Sequence, residues 1–544
     1  MIPSGKPGIS IDPEQAPPSA RIAATLKSNW EVLLILSLAA AVFRPWSMPI
    51  LPTLDFSEFL PQAAAHNSAI AQYLAIAAER GTQGRMCLLE YVHIVVAWQA
   101  FGMWAPGWHW TYFALLSAVV VVGWKVMLRV GVSRPAATIA LTVWAMMEPT
   151  AGAWLRPTGE PIALLLALLA FRVGLGYADA SDWRRRTVIV VLCAVGAMLA
   201  KDVLAALIPL CWIGTRFRVH DGNWEWTPWQ RRDTILILTL TAAVLAVMVP
   251  IAYVALNAPK GNYAGRFGEK LFDLSNAAER LQVTFLPLRE RVPPLSRILN
   301  DPLWRLWILA PGLTWMCVVA AGLVIGVRRG RIWPIALAGV WSIVGVVVYA
   351  PWPGRAAFYM LPFAFGATFG AAHALTWLLQ SRSAGSRIGL AGLGFVASVV
   401  TFEARGIVHE HELRIEVDRR VMNRIAELEG TDRLIAAVPK PAAPEMWGLG
   451  RRLAQFGHLY TGTPKVPGFD VSCAESRRFL ESNPRAIAVS EDRGCGVLTS
   501  RSEPIIMSVP RYLWPLLTGS FQTIRTAYVT PGAAVGGTVA VAVR

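Results

Sequence analysis

The sequence predicts a polytopic α-helical membrane protein of about eleven spans with a small C-terminal α/β domain. Three observations predict it. Of 544 residues, 54% are hydrophobic and 16% charged, against about 25% charged in ordinary soluble proteins. The apolar residues come in long runs, such as 234–257 and 332–350, several of which can cross a hydrocarbon core of about 30 Å. Finally, there are 23 Trp residues, many flanking those runs, as an interfacial aromatic belt requires. A soluble alternative would need about three or four domains with surfaces far too apolar for water.

Residues 1–28 are polar, rich in Pro and Ser, and read as a disordered cytoplasmic tail rather than a cleavable signal peptide. A membrane domain follows over 29–404, with spans at 30–48, 109–130, 136–153, 159–177, 187–200, 203–216, 233–256, 305–327, 332–350, 356–379 and 387–404. The net charge of +16 collects in short connections: Lys125/Arg129/Arg134, Arg184/Arg185/Arg186, Arg216/Arg218/Arg231/Arg232, Arg328/Arg329/Arg331 and Arg382/Arg387. With the N-terminus inside, all five clusters fall on the cytoplasmic face of a bacterial inner membrane, as the positive-inside rule demands. That placement accounts for the basic charge and excludes nucleic-acid binding as its cause. The two short spans around Lys201 and Asp202 admit a second reading, as one broken helix, which would invert everything downstream.

Three segments then lie on the periplasmic side. The loop 49–108 carries two helices, 56–79 and 87–101, able to lie along the interface. The loop 257–304 carries Tyr263, Arg266, Lys270 and a helical stretch near 267–282. Residues 405–544 form the C-terminal domain, opening with an amphipathic helix over 409–429 and continuing into β-rich stretches at 434–439 and 486–490. Its two cysteines, Cys473 and Cys495, fit a disulfide in an oxidising periplasm.

Charged groups at membrane depth are costly and mark function by default. Here they gather on the external side: Asp55 and Glu58 beyond the first span, Arg85 and Glu90 around the second loop helix, Glu148, Arg156 and Glu160 at one turn, Lys201 and Asp202 at another, then Arg266, Lys270, Arg355 and Tyr359. Carboxylates and cations at one interface suit an anionic lipid-linked substrate. A sugar on a polyprenyl phosphate departs from a phosphate that Arg or Lys stabilises, while a carboxylate takes the acceptor's proton. The bland readings are helix capping for Asp55 and Glu58, snorkelling for the cations, and dipole complement for Glu160. His93 and His109 read as interfacial. No His/Cys/carboxylate cluster has metal-ligand spacing, so a divalent cation is compatible with the site but not indicated, and no other cofactor is called for. No Gly-rich phosphate loop is present.

Several motifs resemble the membrane-embedded glycosyltransferases of the GT-C superfamily. LPTLDFSEF carries Asp55 after the first span; GRMCLLEYVHIVVAWQAFG carries Gly84, Arg85, Phe101 and Gly102; WLRPTGEPIALLLALLA carries Glu160 and Pro161; LAKDVLAALIPL carries Lys201 and Asp202; PGRAAFYMLPFAFG carries Arg355, Tyr359 and Pro362. The resemblance covers 30–405. It implies sugar transfer from a polyprenyl-phosphate donor at the periplasmic face, with inversion. Asp55 would be the general base beside Glu58. Arg85, Lys201, Arg266, Arg355 and Tyr359 would hold the donor phosphate, and Glu160 and Asp202 the substrate. The partners implied are the lipid donor, membrane lipids and an acceptor glycan, lipid or secreted protein. The acids are spaced here where many members have them adjacent, which leaves open which of the two is the base. A flippase or transporter, or a glycan polymerase or ligase using a diphosphate-linked donor, are the alternatives.

Overall fold

A computed structural model of the chain describes residues 29–48, 51–258 except 52, 155–158 and 221, then 274–286, 310–350 and 357–427 except 382–383, and beyond that five short strands with a few neighbouring residues. The membrane part opens with α1 (Trp30–Phe43). The first loop holds three helices, α2 (Thr53–Ala64), α3 (Ala69–Thr82) and α4 (Leu88–Phe101). Then come α5 (Ala105–Arg129), α6 (Arg134–Met146), α7 (Glu148–Ala153), α8 (Glu160–Gly174), α9 (Trp183–Ala200) and α10 (Ile208–Thr215). A hairpin of β1 (Phe217–His220) and β2 (Asn223–Trp226) precedes α11 (Arg231–Asn257) and α12 (Leu274–Phe285). The series ends with α13 (Ala310–Arg328), α14 (Ile332–Tyr349), α15 (Leu361–Gln380) and α16 (Ala384–Glu427). Among the described residues six helices are long and apolar enough to cross a membrane; α1 and α4 are shorter apolar helices. The chain is a helical membrane protein.

The sequence's helix over 56–79 is two helices. Ser68 caps α3 by accepting from the Ala71 amide at 3.2 Å, which ends any continuation from α2. The helix also starts at Thr53, so Asp55 lies inside the first turn rather than at the cap. The last span and the amphipathic helix after it are one helix of 44 residues, α16, about 66 Å long at 1.5 Å per residue. No Gly or Pro interrupts it between 407 and 427, and pairs such as Arg405–Glu412 at 2.9 Å and Arg420–Glu416 at 2.9 Å line it.

The question left open at Lys201 is answered. Lys201 has φ −156° and ψ 113°, an extended conformation that ends α9. The chain then turns through a 3-10 segment, Asp202–Leu207, into α10. The end of α10 meets the end of α8: a Cβ on Gly174 would sit 3.0 Å from the Thr215 side chain. The chain therefore reverses at Lys201. Small residues also permit a close helix crossing. Gly322 and Gly326 of α13, a G-x-x-x-G step, face α15 so closely that a Cβ at Gly322 would lie 2.2 Å from the Ala374 carbonyl oxygen.

These packings define two ends of the bundle. At one, Arg134 pairs with Glu31 at 2.9 Å, Arg129 donates to the Leu175 carbonyl at 2.7 Å, and the β1–β2 hairpin meets the start of α14 through Phe217 and Trp333, 5.4 Å apart. A fully buried pair, Arg216–Asp233, seals this end, with the guanidinium between Trp226 and Trp229 at 5.4 and 5.2 Å. At the other end lie the starts of α8 and the 3-10 segment, the end of α14, and Phe43 stacked on Trp154 at 4.5 Å. The described basic clusters all belong to the first end.

The long helix α16 leaves the bundle at the second end, where Arg405 donates to the Val42 carbonyl at 3.3 Å. Its distal part packs on a five-stranded sheet of β3 (Ile435–Val438), β4 (Gly468–Asp470), β5 (Ile487–Ser490), β6 (Glu503–Met507) and β7 (Arg525–Pro531), in the order β4-β3-β5-β7-β6. β3 pairs in parallel with β4 and β5, whereas β7 is antiparallel to β5 and β6. The expected stretches 434–439 and 486–490 are β3 and β5. The loop helices have a small core of their own around Phe59, Ile76, Tyr91 and Trp108, and Leu459 from the C-terminal part rests on it.

Candidate active site

The site grows from two breaks in helical structure that face each other. The first is Gly159–Glu160, where α8 starts. Glu160 is the first helical residue, Pro161 follows, and the carboxylate complements the positive helix N-terminus. The second is Lys201, released by the end of α9. A Cβ on Gly159 would lie 1.9 Å from the Ala200 carbonyl oxygen, so only glycine lets the two turns touch. That approach brings Lys201 Nζ to 3.1 Å from Glu160 Oε1, with the Glu160 side chain wholly buried and that of Lys201 at 8% exposure. The ammonium also stands 5.6 Å from the Tyr359 ring centroid. Tyr359 in turn stacks on Tyr349 at 5.2 Å.

The first loop adjoins these turns through α4, which packs on α9. Arg85 follows Gly84, which adopts φ 76°, and its amide donates to the Arg80 carbonyl at 3.0 Å. Glu90, in the first turn of α4, is buried, with 5% of its surface exposed. Burial pushes the Glu90 carboxyl up to about 7, against the pull of Lys201, while Glu160 pushes the same way as burial. For Lys201, burial opposes the charge but Glu160 and Glu90 outweigh it and hold the pKa above the usual lysine value. Burial, with Asp202 nearby, pushes the Cys87 thiol up to about 12, so it is a neutral thiol and no nucleophile. Arg80, 4% exposed, lies 4.8 Å over the Phe59 ring of α2 and donates to Gln83 Oε1 at 2.7 Å.

The structure thus brings together Arg85, Glu160, Lys201, Asp202 and Tyr359. Asp55 and Glu58 sit in the first turn of α2, which packs on α3 and α4, but their side chains lie outside the described residues. Arg266, Arg355, Cys473 and Cys495 also lie outside them. Three residues escaped assignment. Glu90 stood in the same motif as Arg85 without a role. Tyr349 ends an apolar span, and nothing in its sequence neighbourhood marks it. Arg280, 1% exposed, lies on α12, a helix that packs among α7, α14, α15 and the 3-10 turn Ala357–Met360; α12 covers the 274–282 part of the helical stretch expected near 267–282, and 267–273 lie outside the described residues. Among the described residues no group of three His, Cys, Asp or Glu side chains is placed to hold a metal ion.

No family model matches the sequence, and no curated protein matches it. Among solved structures the chain is similar to ArnT from Cupriavidus metallidurans in the apo state, at 15% identity and a TM-score of 0.45, covering 93% of this chain and 98% of that one. It is similar to the same protein bound to undecaprenyl phosphate, at 15% identity and 0.43, covering 93% and 99%. It is also similar to the archaeal oligosaccharyltransferase AglB from Archaeoglobus fulgidus, in complex with an inhibitory peptide and a dolichol-phosphate, at 10% identity and 0.44, covering 86% and 70%. At such identities no residue role transfers.

Proposed function

We propose that the protein is a GT-C-type membrane glycosyltransferase that moves a sugar from a polyprenyl-phosphate donor to an acceptor hydroxyl at the periplasmic face of a bacterial inner membrane. The observation that carries this reading is the buried Lys201–Glu160 pair, with Glu90 and Arg85 around it, at the bundle end opposite the basic clusters. Under the positive-inside rule the basic end is cytoplasmic, so the site and the C-terminal sheet face the periplasm and residues 1–28 the cytoplasm.

In this reading Lys201 and Arg85, with Arg266, Arg355 and Tyr359, receive the lipid phosphate, and Glu160 and Asp202 contact substrate. The acceptor oxygen attacks the anomeric carbon as the bond from that carbon to the phosphate oxygen breaks. The acceptor proton goes to Asp55, one turn before Phe59 on α2, with Glu58 as the second acid. The polyprenyl phosphate leaves with the bonding pair, its charge stabilised by the cations, and the anomeric centre inverts. A divalent cation beside the phosphate is compatible with this step, though none of the described residues calls for one. Residues 405–544 form a periplasmic α/β domain, held in part by a Cys473–Cys495 disulfide. The seating of Leu459 on the loop core supports a role as lid or acceptor platform over the site.

The test is transfer by the purified protein from a panel of polyprenyl-monophosphate sugars to envelope glycan, lipid and protein acceptors, with Asp55→Asn alongside. The native protein should transfer from at least one donor and Asp55→Asn at no more than about a hundredth of that rate, the scale of general-base catalysis. Native rates in Asp55→Asn would remove the assigned base. Vectorial movement of the lipid without transfer would establish the flippase reading instead.

A further inference from the structure

Two polar groups in the site are not accounted for by phosphate binding. Glu160 is wholly buried, and although Oε1 is 3.1 Å from the Lys201 ammonium, neither carboxylate oxygen accepts a hydrogen bond from the described residues. The Tyr349 hydroxyl is likewise buried and without a hydrogen bond among the described residues, with only 4% of the residue exposed. Its helix α14 packs on the 3-10 segment that begins at Asp202, it lies within electrostatic reach of Glu160, Lys201 and Asp202, and its ring is fixed by stacking on Tyr359 and by an edge contact with Phe363 at 6.1 Å. Buried polar atoms left this way cost free energy unless a ligand meets them.

The chemistry of the two groups narrows the ligand. A carboxylate only accepts, so it cannot satisfy, and indeed repels, a phosphate oxygen. A phenol both donates and accepts. A ligand hydroxyl donates to Glu160 and accepts from Tyr349, and so completes both. We propose that Tyr349 and Glu160 form a subsite that reads a hydroxyl group on the sugar ring of the lipid-linked donor, making Tyr349 a specificity residue. Lys201, held by Glu160 on one side, then stands where the sugar subsite passes into the phosphate subsite. This inference rests on the glycosyltransferase reading.

The experiment measures binding to full-length protein of bare polyprenyl phosphate, of polyprenyl phosphate carrying glucose, mannose or arabinose, and of monodeoxy forms of the sugar bound best. Tyr349→Phe keeps the ring stack and removes only the hydroxyl. It should bind the bare lipid as the native protein does and the sugar-bearing lipid about tenfold more weakly, the scale of one buried hydrogen bond. One deoxy donor should lose a similar factor on the native protein and nothing further on Tyr349→Phe. Equal weakening for bare and sugar-bearing lipid would make Tyr349 a phosphate ligand and overturn the proposal. So would a native-like Tyr349→Phe, or a deoxy series that loses additively on it. If the native protein prefers no sugar-bearing lipid over the bare one, the glycosyltransferase reading falls and this proposal with it.

Discussion

Replacing Lys201 with methionine keeps the length and bulk of the side chain and removes its charge, leaving a wholly buried Glu160 carboxylate without its cation. At 3.1 Å and an effective dielectric of about 20, the attraction lost is about 5 kcal/mol. Buried pairs broken from one side typically cost about 3–5 kcal/mol, because the remaining ion stays desolvated. Lys201→Met should therefore unfold or inactivate several degrees earlier than the native protein, followed by thermal inactivation in detergent. The double variant Lys201→Met/Glu160→Leu removes both charges, and its stability should return to within about 1 kcal/mol of native, since apolar replacement of a whole buried pair is close to neutral. On the proposed reading transfer should not return, because Lys201 is there the cation that receives the lipid phosphate. The two assays thus separate a structural pair from a functional one. A single variant as stable as the native protein would refute the burial argument, and a stable double variant with native transfer would refute the role of Lys201.

Glu90 carries a pH signature. Its folded pKa of about 7 lies above the ordinary 4.5, so its contribution to stability is complete below about pH 4.5 and is lost as pH rises through about 7. Native stability should fall relative to Glu90→Gln between about pH 5 and pH 8, and a difference between the two that is independent of pH would show that Glu90 is not held neutral. Gly159→Ala puts a methyl group 1.9 Å from the Ala200 carbonyl oxygen, a backbone atom that cannot swing away. It should destabilise by about 1–3 kcal/mol and abolish transfer by parting Lys201 from Glu160. Gly339→Ala on α14 meets nothing within 4 Å and should be neutral or stabilising by up to about 1 kcal/mol; equal behaviour of the two in thermal unfolding and transfer assays would refute the close approach.

What could be read from the sequence follows from the range of each physical signal. Hydropathy and basic clusters act over whole spans, so the membrane character, the helical runs 332–350 and 356–379, and the gathering of Glu160, Lys201 and Tyr359 at one end were all legible. Strand patterns gave β3 and β5, because short Ile/Val/Ala runs between turn residues have no competing helical reading. The break at Ser68 was missed because a single N-cap outweighs the apolar continuity on either side of it. The β1–β2 hairpin turns at Gly222, φ 75°, a short turn signal that the surrounding basic and Trp residues mask in the sequence.

Tyr349 and Glu90 were out of reach for a different reason. Each is a polar residue near one end of a mostly apolar helix, and its meaning depends on which other helix end it meets. That is settled by Gly159, whose missing side chain lets α8 approach the end of α9. A glycine in a P-T-G-E-P turn reads as a loop residue in any sequence. Only the 1.9 Å clearance shows that it decides whether Lys201 has a counter-ion. The charges could thus be assigned to one end of the bundle from their order along the chain, whereas the pairing of Lys201 with Glu160 depends on a residue that carries no charge at all.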